Sequence, residues 1–135
     1  MAIPIGKLRG MTPTLEGDLH VRGIYDTEQL LEAARTPAGR EALAGQVAVE
    51  PQTILELANR ADLSRIWGVA GVYSDLLEHA GVDTVLELAT RNPDNLHAKL
   101  VEVNAQSKRT RRVPSRTLVE NWIAQAQELP RRLEY

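Results

Sequence analysis

The chain has 135 residues, of which 43% are hydrophobic and 25% charged, and a net charge of −2, as in an ordinary globular protein of single-domain size. It has no cysteine, which excludes disulfides and thiolate metal sites and fits a reducing compartment. It has neither an apolar run of about 18 residues nor a signal-peptide pattern, so we predict a soluble cytoplasmic protein without a membrane partner.

The residue pattern predicts an all-α fold. Leu, Ala and Val dominate the apolar set, aromatics make up only 4%, and no segment alternates apolar and polar residues as a half-buried strand would. Helix starts are marked by a capping residue or acid next to a proline or threonine: Thr12-Pro13, Asp26-Thr27, Thr36-Pro37, Glu50-Pro51, Asp83-Thr84, Asn92-Pro93 and Pro114-Ser115. The predicted core consists of Leu15, Leu19, Leu30, Ile54, Ile66, Tyr73, Leu77, Val85, Leu100, Leu118 and Trp122. The indole N–H of Trp122 is expected to reach a carbonyl or water.

An internal repeat organises these helices. Gly10 and Gly23 recur as Gly68 and Gly81, each 58 residues later (68 − 10 and 81 − 23). Turn and core positions between them correspond with small slips, which indicates a duplication. We therefore predict a single domain, 1–135, with a pseudo-two-fold internal repeat. Its first unit covers about 8–63, its second about 66–129, and 130–135 form a short tail.

In the second unit, residues 66–84 read Ile-x-Gly-Val-x-x-x-Tyr-x-x-Leu-Leu-x-x-x-Gly-Val-x-Thr. This pattern resembles the helix-hairpin-helix motif. The resemblance implies sequence-independent contact with DNA phosphates through free amides of the glycine turn and of the helix that follows it. The binding residues it implies in this chain are Arg65, Gly68, Val69, Ala70 and Gly71, with the hairpin at residues 10–13 as a second contact.

Both hairpins depart from that motif, which has glycine, a hydrophobic residue and a second glycine. Ala70 and Thr12 stand where the second glycine is expected, and Pro13 has no N–H to donate. Glu16 and Asp75 add a negative charge near each hairpin, which opposes phosphate binding. A purely structural role, in which the glycines allow tight turns and close helix contact, therefore stays open.

Over nearly its full length the chain also resembles a bacterial family, the domain of unknown function 4332, which is built of such units. The resemblance is carried by residues 65–69, 76–84, 91–93, 114–115 and 122–123. It implies the helical fold of that family and brings no activity with it.

A basic loop, residues 108–116, is the second candidate site. It holds five of the 16 basic residues and no acid, so the rest of the chain has 11 basic against 18 acidic side chains. This polarisation favours an anionic partner such as DNA or RNA, although a solvated loop between two helices would look the same. No aromatic is interleaved with the basic residues, so a stacking platform for single strands is not indicated. The cations are Lys108, Arg109, Arg111, Arg112 and Arg116.

No pattern points to an enzyme. His20, His79 and His97 are scattered without a second ligand at helical spacing, and no phosphate-binding loop, nucleophile elbow or dinucleotide fingerprint is present. We expect no catalytic residue, no metal, no cofactor and no small-molecule substrate. Two functions remain: a non-catalytic nucleic-acid-binding module, and a protein-interaction or assembly adaptor that binds no nucleic acid.

Overall fold

The computed structural model describes residues 2–69 and 71–135, and no strand forms among them, so the all-α prediction is confirmed. A short 3-10 helix, Ile5–Lys7, comes first. The α-helices that follow in the described residues are α1 (Pro13–Val21), α2 (Thr27–Ala33), α3 (Pro37–Gln46), α4 (Pro51–Leu63), α5 (Val72–His79), α6 (Val85–Ala89), α7 (Pro93–Ser107) and α8 (Arg116–Glu128). None of these helices is both long and apolar enough to cross a membrane.

Local chemistry accounts for most of the helix starts. At the predicted starts of α1, α3, α7 and α8, a side-chain oxygen accepts the amide of the third helical residue, and three of the four helices begin with proline. These caps satisfy amides that a helix leaves without a partner. The capping residues are Thr12, Thr36, Asn92 and Ser115.

The chain divides into two units. Unit 1 comprises the residues up to Arg65 together with Arg132–Tyr135, and unit 2 comprises Ile66–Arg131. In unit 1, α4 packs against α2 and α3, and the side chains of Leu30, Ile54 and Leu57 are fully buried. The arrangement of both units as a single domain stays a prediction.

Residues 132–135, predicted as part of a short tail, belong to unit 1. Leu133 is 2% exposed and lies in the core of that unit. The amide of Glu134 donates to the carbonyl of Arg35 at 2.8 Å. The buried Arg40 guanidinium donates to the carbonyl of Glu134, also at 2.8 Å. The segment is therefore held by a buried apolar side chain and by hydrogen bonds to its backbone, and the side chains of Arg132 and Tyr135 add contacts to Glu28 and Asn59.

In unit 2, α8 packs against α6 and α7, and α5 packs against α7. Trp122 on α8 is completely buried in this unit, but the expected carbonyl partner of its indole N–H was wrong, since no group among the described residues accepts a hydrogen bond from it. The predicted core is confirmed except at Tyr73 and Leu118, which are partly exposed. Tyr73 extends its hydroxyl to the carbonyl of Arg112 at the surface, and Leu118 lies in the first turn of α8.

The two units have the same order of elements. In each, a glycine with positive φ precedes a helix, a second such glycine ends it, and a short helix and two longer ones follow. The φ values are +87° and +80° at Gly10 and Gly23, and +89° and +88° at Gly68 and Gly81. The description of these units as duplicated helix-hairpin-helix modules stays an interpretation.

Candidate nucleic-acid interface

The hairpin before α5 lies directly over the buried Trp122. A Cβ atom on Gly68 would come within 3.3 Å of the indole Nε1, and Gly68 itself has a positive φ, so the turn leaves little room for a side chain. Val69 points inward and is fully buried, which anchors the turn. Ala70, which the motif assigns to the binding site, lies outside the described residues. Gly71 is exposed and precedes the helix with φ of +70°.

The N-terminus of α5 has no side-chain cap. Gly71 offers no capping oxygen, and the amide of Asp75 donates to the carbonyl of Gly71 at 3.2 Å. Within the described chain no side chain caps the preceding amides, those of Val72, Tyr73 and Ser74. Uncapped amides at a helix start carry partial positive charge and bind anions readily. This turn is therefore chemically suited to a phosphate oxygen.

The first part of the basic loop is shaped by one side chain, Asn104 of α7. Its Oδ1 accepts the amide of Thr110 at 2.9 Å, and its Nδ2 donates to the Thr110 carbonyl at 3.0 Å. The carbonyl of Asn104 also accepts the amide of Lys108, which ends α7 in the left-handed conformation with φ of +51°. Because the backbone is held at three points, the loop has a defined shape between α7 and α8.

The same loop contacts the first turn of α5. The Arg109 guanidinium lies 3.3 Å from the carboxylate of Asp75, and the Tyr73 hydroxyl donates to the carbonyl of Arg112 at 3.4 Å. Both α5 residues follow closely on the uncapped amides. The hairpin and the basic loop are thus adjacent within unit 2, although they lie about 40 positions apart in the chain.

The repulsion expected from Asp75 is compensated locally. Its carboxylate is only 12% exposed and contacts both Arg109 and the imidazole Nδ1 of His79, each at 3.3 Å. Arg109 balances this acid and so adds little free charge to the surface. The net charge of Asp75 and Arg109 near the start of α5 is therefore close to zero.

The five cations of the basic loop differ in whether an acidic side chain pairs with them. Lys108, Arg111 and Arg112 are exposed, and within the described chain no acidic side chain pairs with them. Arg116 instead lies between the carboxylates of Asp94 and Glu120. Its hydrogen bond and charge hold the pKa of Asp94 below the ordinary value of an aspartate. Three cations are therefore available to an external anion.

Arg65, the last residue that the motif assigns, is turned away from solvent. Its guanidinium forms an ion pair with Asp62 at 2.8 Å, and the two side chains are 7% and 6% exposed. Both residues belong to unit 1. A buried pair of this kind fixes the end of α4 and offers no cation to a ligand.

Two residues on the hairpin side of unit 2, Trp67 and Gln125, were not predicted to belong to the candidate site. The Trp67 side chain is 70% exposed, although it immediately precedes the buried turn. Gln125 of α8 holds its backbone, since Oε1 accepts the Trp67 amide at 2.8 Å and Nε2 donates to its carbonyl at 3.3 Å. An aromatic residue directly before a glycine turn was the available signal for Trp67. The Gln125 contact spans 58 positions and has no local signature.

The described ranges contain no candidate metal site. No group of three His, Asp or Glu residues among them is placed to hold a metal ion. His79 contacts Asp75, and His20 stacks on Tyr25 with ring centroids 5.0 Å apart.

Comparison with known proteins identifies the family. The sequence model of the domain of unknown function DUF4332 matches residues 9–129. The chain therefore belongs to the DUF4332 family. No curated protein and no solved structure matches it.

Proposed function

We propose that this DUF4332 protein is a non-catalytic nucleic-acid-binding module that contacts the phosphate backbone through unit 2. The observation that supports this most directly is the contact of the basic loop with the uncapped first turn of α5, through Arg109–Asp75 and Tyr73–Arg112. A cytoplasmic location likewise remains a prediction.

In this proposal the amides at the start of α5 donate hydrogen bonds to one phosphate, and the unpaired cations contact the neighbouring phosphates on the strand. Phosphate oxygens suit both groups, because helix amides donate hydrogen bonds and lysine and arginine supply charge. The contacts involve backbone and charge rather than base edges, so binding is independent of sequence. Lys108, Arg111 and Arg112 are the cations in question.

The salt dependence of binding tests the proposal. Three phosphate contacts should weaken the affinity roughly 20- to 40-fold between about 50 and 200 mM salt, because each releases condensed counterions. Fluorescence anisotropy with labelled DNA measures this. Replacing Lys108, Arg111 and Arg112 with Ala should lower the affinity for every sequence alike and flatten the salt dependence.

A matched control removes three exposed cations elsewhere. Lys7, Arg35 and Lys99 lie outside the basic loop, and their replacement with Ala changes the net charge by the same amount, although Arg35 pairs with Glu134 and Lys99 with Glu102. We expect this control to bind nearly as the unaltered protein does. Equal losses in both triple variants would indicate a general charge effect, and no loss in the loop variant would reject the proposal.

The alternative function is a protein-interaction or assembly adaptor, and an exposed apolar surface on unit 1 supports it. Val21 at the end of α1 is 83% exposed, and Tyr25, stacked on His20, is 54% exposed. Contiguous exposed apolar area is typical of contact surfaces, and His20, on which Tyr25 stacks, directly precedes Val21 in the chain. A defined partner that co-purifies after nuclease treatment and is lost with Val21→Ser would favour this function over nucleic-acid binding.

A further inference from the structure

Trp67 is an exposed ring on a fixed support. Its side chain is 70% exposed, whereas Gln125 holds both its amide and its carbonyl. Nε2 of Gln125 also donates to the Asn121 side chain at 2.8 Å, which fixes the orientation of the amide. An exposed tryptophan presents a large flat apolar face with a polar N–H, the kind of side chain that is enriched at binding interfaces.

This ring lies on the same part of unit 2 as the proposed phosphate contacts. Trp67 precedes Gly68, which covers the indole of Trp122. The Trp122 ring in turn packs on Tyr73, with centroids 5.4 Å apart, and the Tyr73 hydroxyl reaches the carbonyl of Arg112. The turn that follows Trp67, the first turn of α5 and the basic loop therefore all contact one pair of rings, those of Trp122 and Tyr73.

We propose that Trp67 is a stacking platform for an unpaired base, and that the preferred ligand is single-stranded nucleic acid. This inference rests on the function proposed above and specifies its substrate class. An aromatic side chain stacks on any base, so the contact adds affinity without sequence preference. In a duplex the bases are already stacked and paired, and only the phosphates remain accessible. The unpaired cations of the basic loop, in the same unit, favour a polyanion over an apolar protein surface.

The test compares a labelled oligothymidylate of about 12 nucleotides, within the usual site sizes for such surfaces, with a duplex of the same length. The intact protein should bind the single strand more tightly. Trp67→Ala should weaken single-strand binding about 5- to 100-fold and leave duplex binding nearly unchanged. Trp67→Phe, which keeps a flat ring, should retain part of the preference. Tyr25→Ala removes another exposed aromatic side chain, on unit 1, and should change neither affinity.

Intrinsic fluorescence gives a second, independent readout. The chain has two tryptophans, and Trp122 is completely buried. Stacking on a base should quench the emission of Trp67 when the oligothymidylate is added, and Trp67→Phe should abolish that quenching. Thermal unfolding of each variant, which should match that of the unaltered protein, establishes that the fold is intact.

The outcomes separate the two proposals. If the unaltered protein binds neither probe, the nucleic-acid function fails and the stacking role with it. If both probes bind and Trp67→Ala weakens neither, or the single strand causes no quenching, the phosphate contacts stand and the stacking role is overturned. If Trp67→Ala instead abolishes a nuclease-resistant protein association, the ring is a protein contact.

Discussion

The two glycine hairpins, one in each unit, share a backbone conformation and differ in what lies against them. Gly10 and Gly68 have φ of +87° and +89°. In unit 1 the Arg60 guanidinium lies over the turn and donates to the carbonyl of Arg9 at 2.9 Å. In unit 2 the buried indole of Trp122 takes that position. The same turn is thus supported by a hydrogen-bonding cation in one unit and by an apolar ring in the other.

The helices that follow these turns differ more. In unit 1 the hydroxyl of Thr12 accepts a hydrogen bond from the amide of Leu15, and Pro13 has no N–H. Few amides at the start of α1 therefore remain to bind a ligand. In unit 2 Gly71 leaves the first amides of α5 uncapped. A glycine turn is therefore insufficient for an anion site. The residues at the helix start, Thr12 and Pro13 in unit 1 and Gly71 in unit 2, decide whether donors remain for a ligand.

The largest expected effect comes from removing the support of the second turn. Trp122→Ala should lower the free energy of unfolding by about 3 to 5 kcal/mol, because it deletes a fully buried ring and leaves a cavity. Arg60→Ala, the counterpart in unit 1, should lose about 1 kcal/mol, because its hydrogen bond to the Arg9 carbonyl is exposed to solvent. Urea denaturation followed by circular dichroism measures both. Equal losses would contradict the distinction drawn between the two supports.

The next effect separates backbone strain from crowding at the second turn. Gly68→Ala and Gly81→Ala each place a side chain at a positive φ, of +89° and +88°, and should each lose about 1 to 2 kcal/mol. At Gly81 the new Cβ meets nothing within 4 Å, whereas at Gly68 it meets Trp122 at 3.3 Å. The Gly68 variant should therefore unfold at a lower urea concentration. The same urea midpoint for both variants would show that the Trp122 indole can shift without lowering the free energy of unfolding.

The smallest effect concerns the cap that closes the first hairpin. Thr12→Ala should lose about 1 kcal/mol, because the amide of Leu15 then has no side-chain acceptor. Thr14→Ala, at an exposed position in the first turn of the same helix, should stay within about 0.5 kcal/mol of the unaltered protein. Thermal unfolding of the two variants measures this difference in stability. If Thr14→Ala loses as much, the helix start depends on propensity and not on the cap.

The parts of the fold that local chemistry controls could be predicted. A capping oxygen followed by proline indicates a helix start wherever it occurs, and Thr12, Thr36 and Asn92 each fill that role. Tyr73 was wrongly assigned to the core because its helical position indicates the buried face. Its hydroxyl instead ends at a carbonyl on the surface, 39 positions away.

The candidate site depended on contacts that no short pattern reveals. The five cations of the basic loop look alike in the sequence, yet Arg109 and Arg116 are paired with acids 34 and 22 positions away. Charge counting could not separate them from the three free cations, since pairing is a property of the folded chain. The role of Asn104 in shaping the loop was likewise invisible, because a surface asparagine on a helix has many ordinary uses.

Leu133 is a core residue of unit 1 that is synthesised after unit 2. It fills the core of unit 1, whose other residues end at Arg65, so every residue of unit 2 is synthesised before it. A chain emerging from the ribosome can complete unit 2 while the core of unit 1 still lacks one side chain. During that interval the apolar surface that Leu133 covers is open to solvent and to other chains. The core of unit 1 is therefore completed only when a four-residue segment docks onto the part of the chain that was made first.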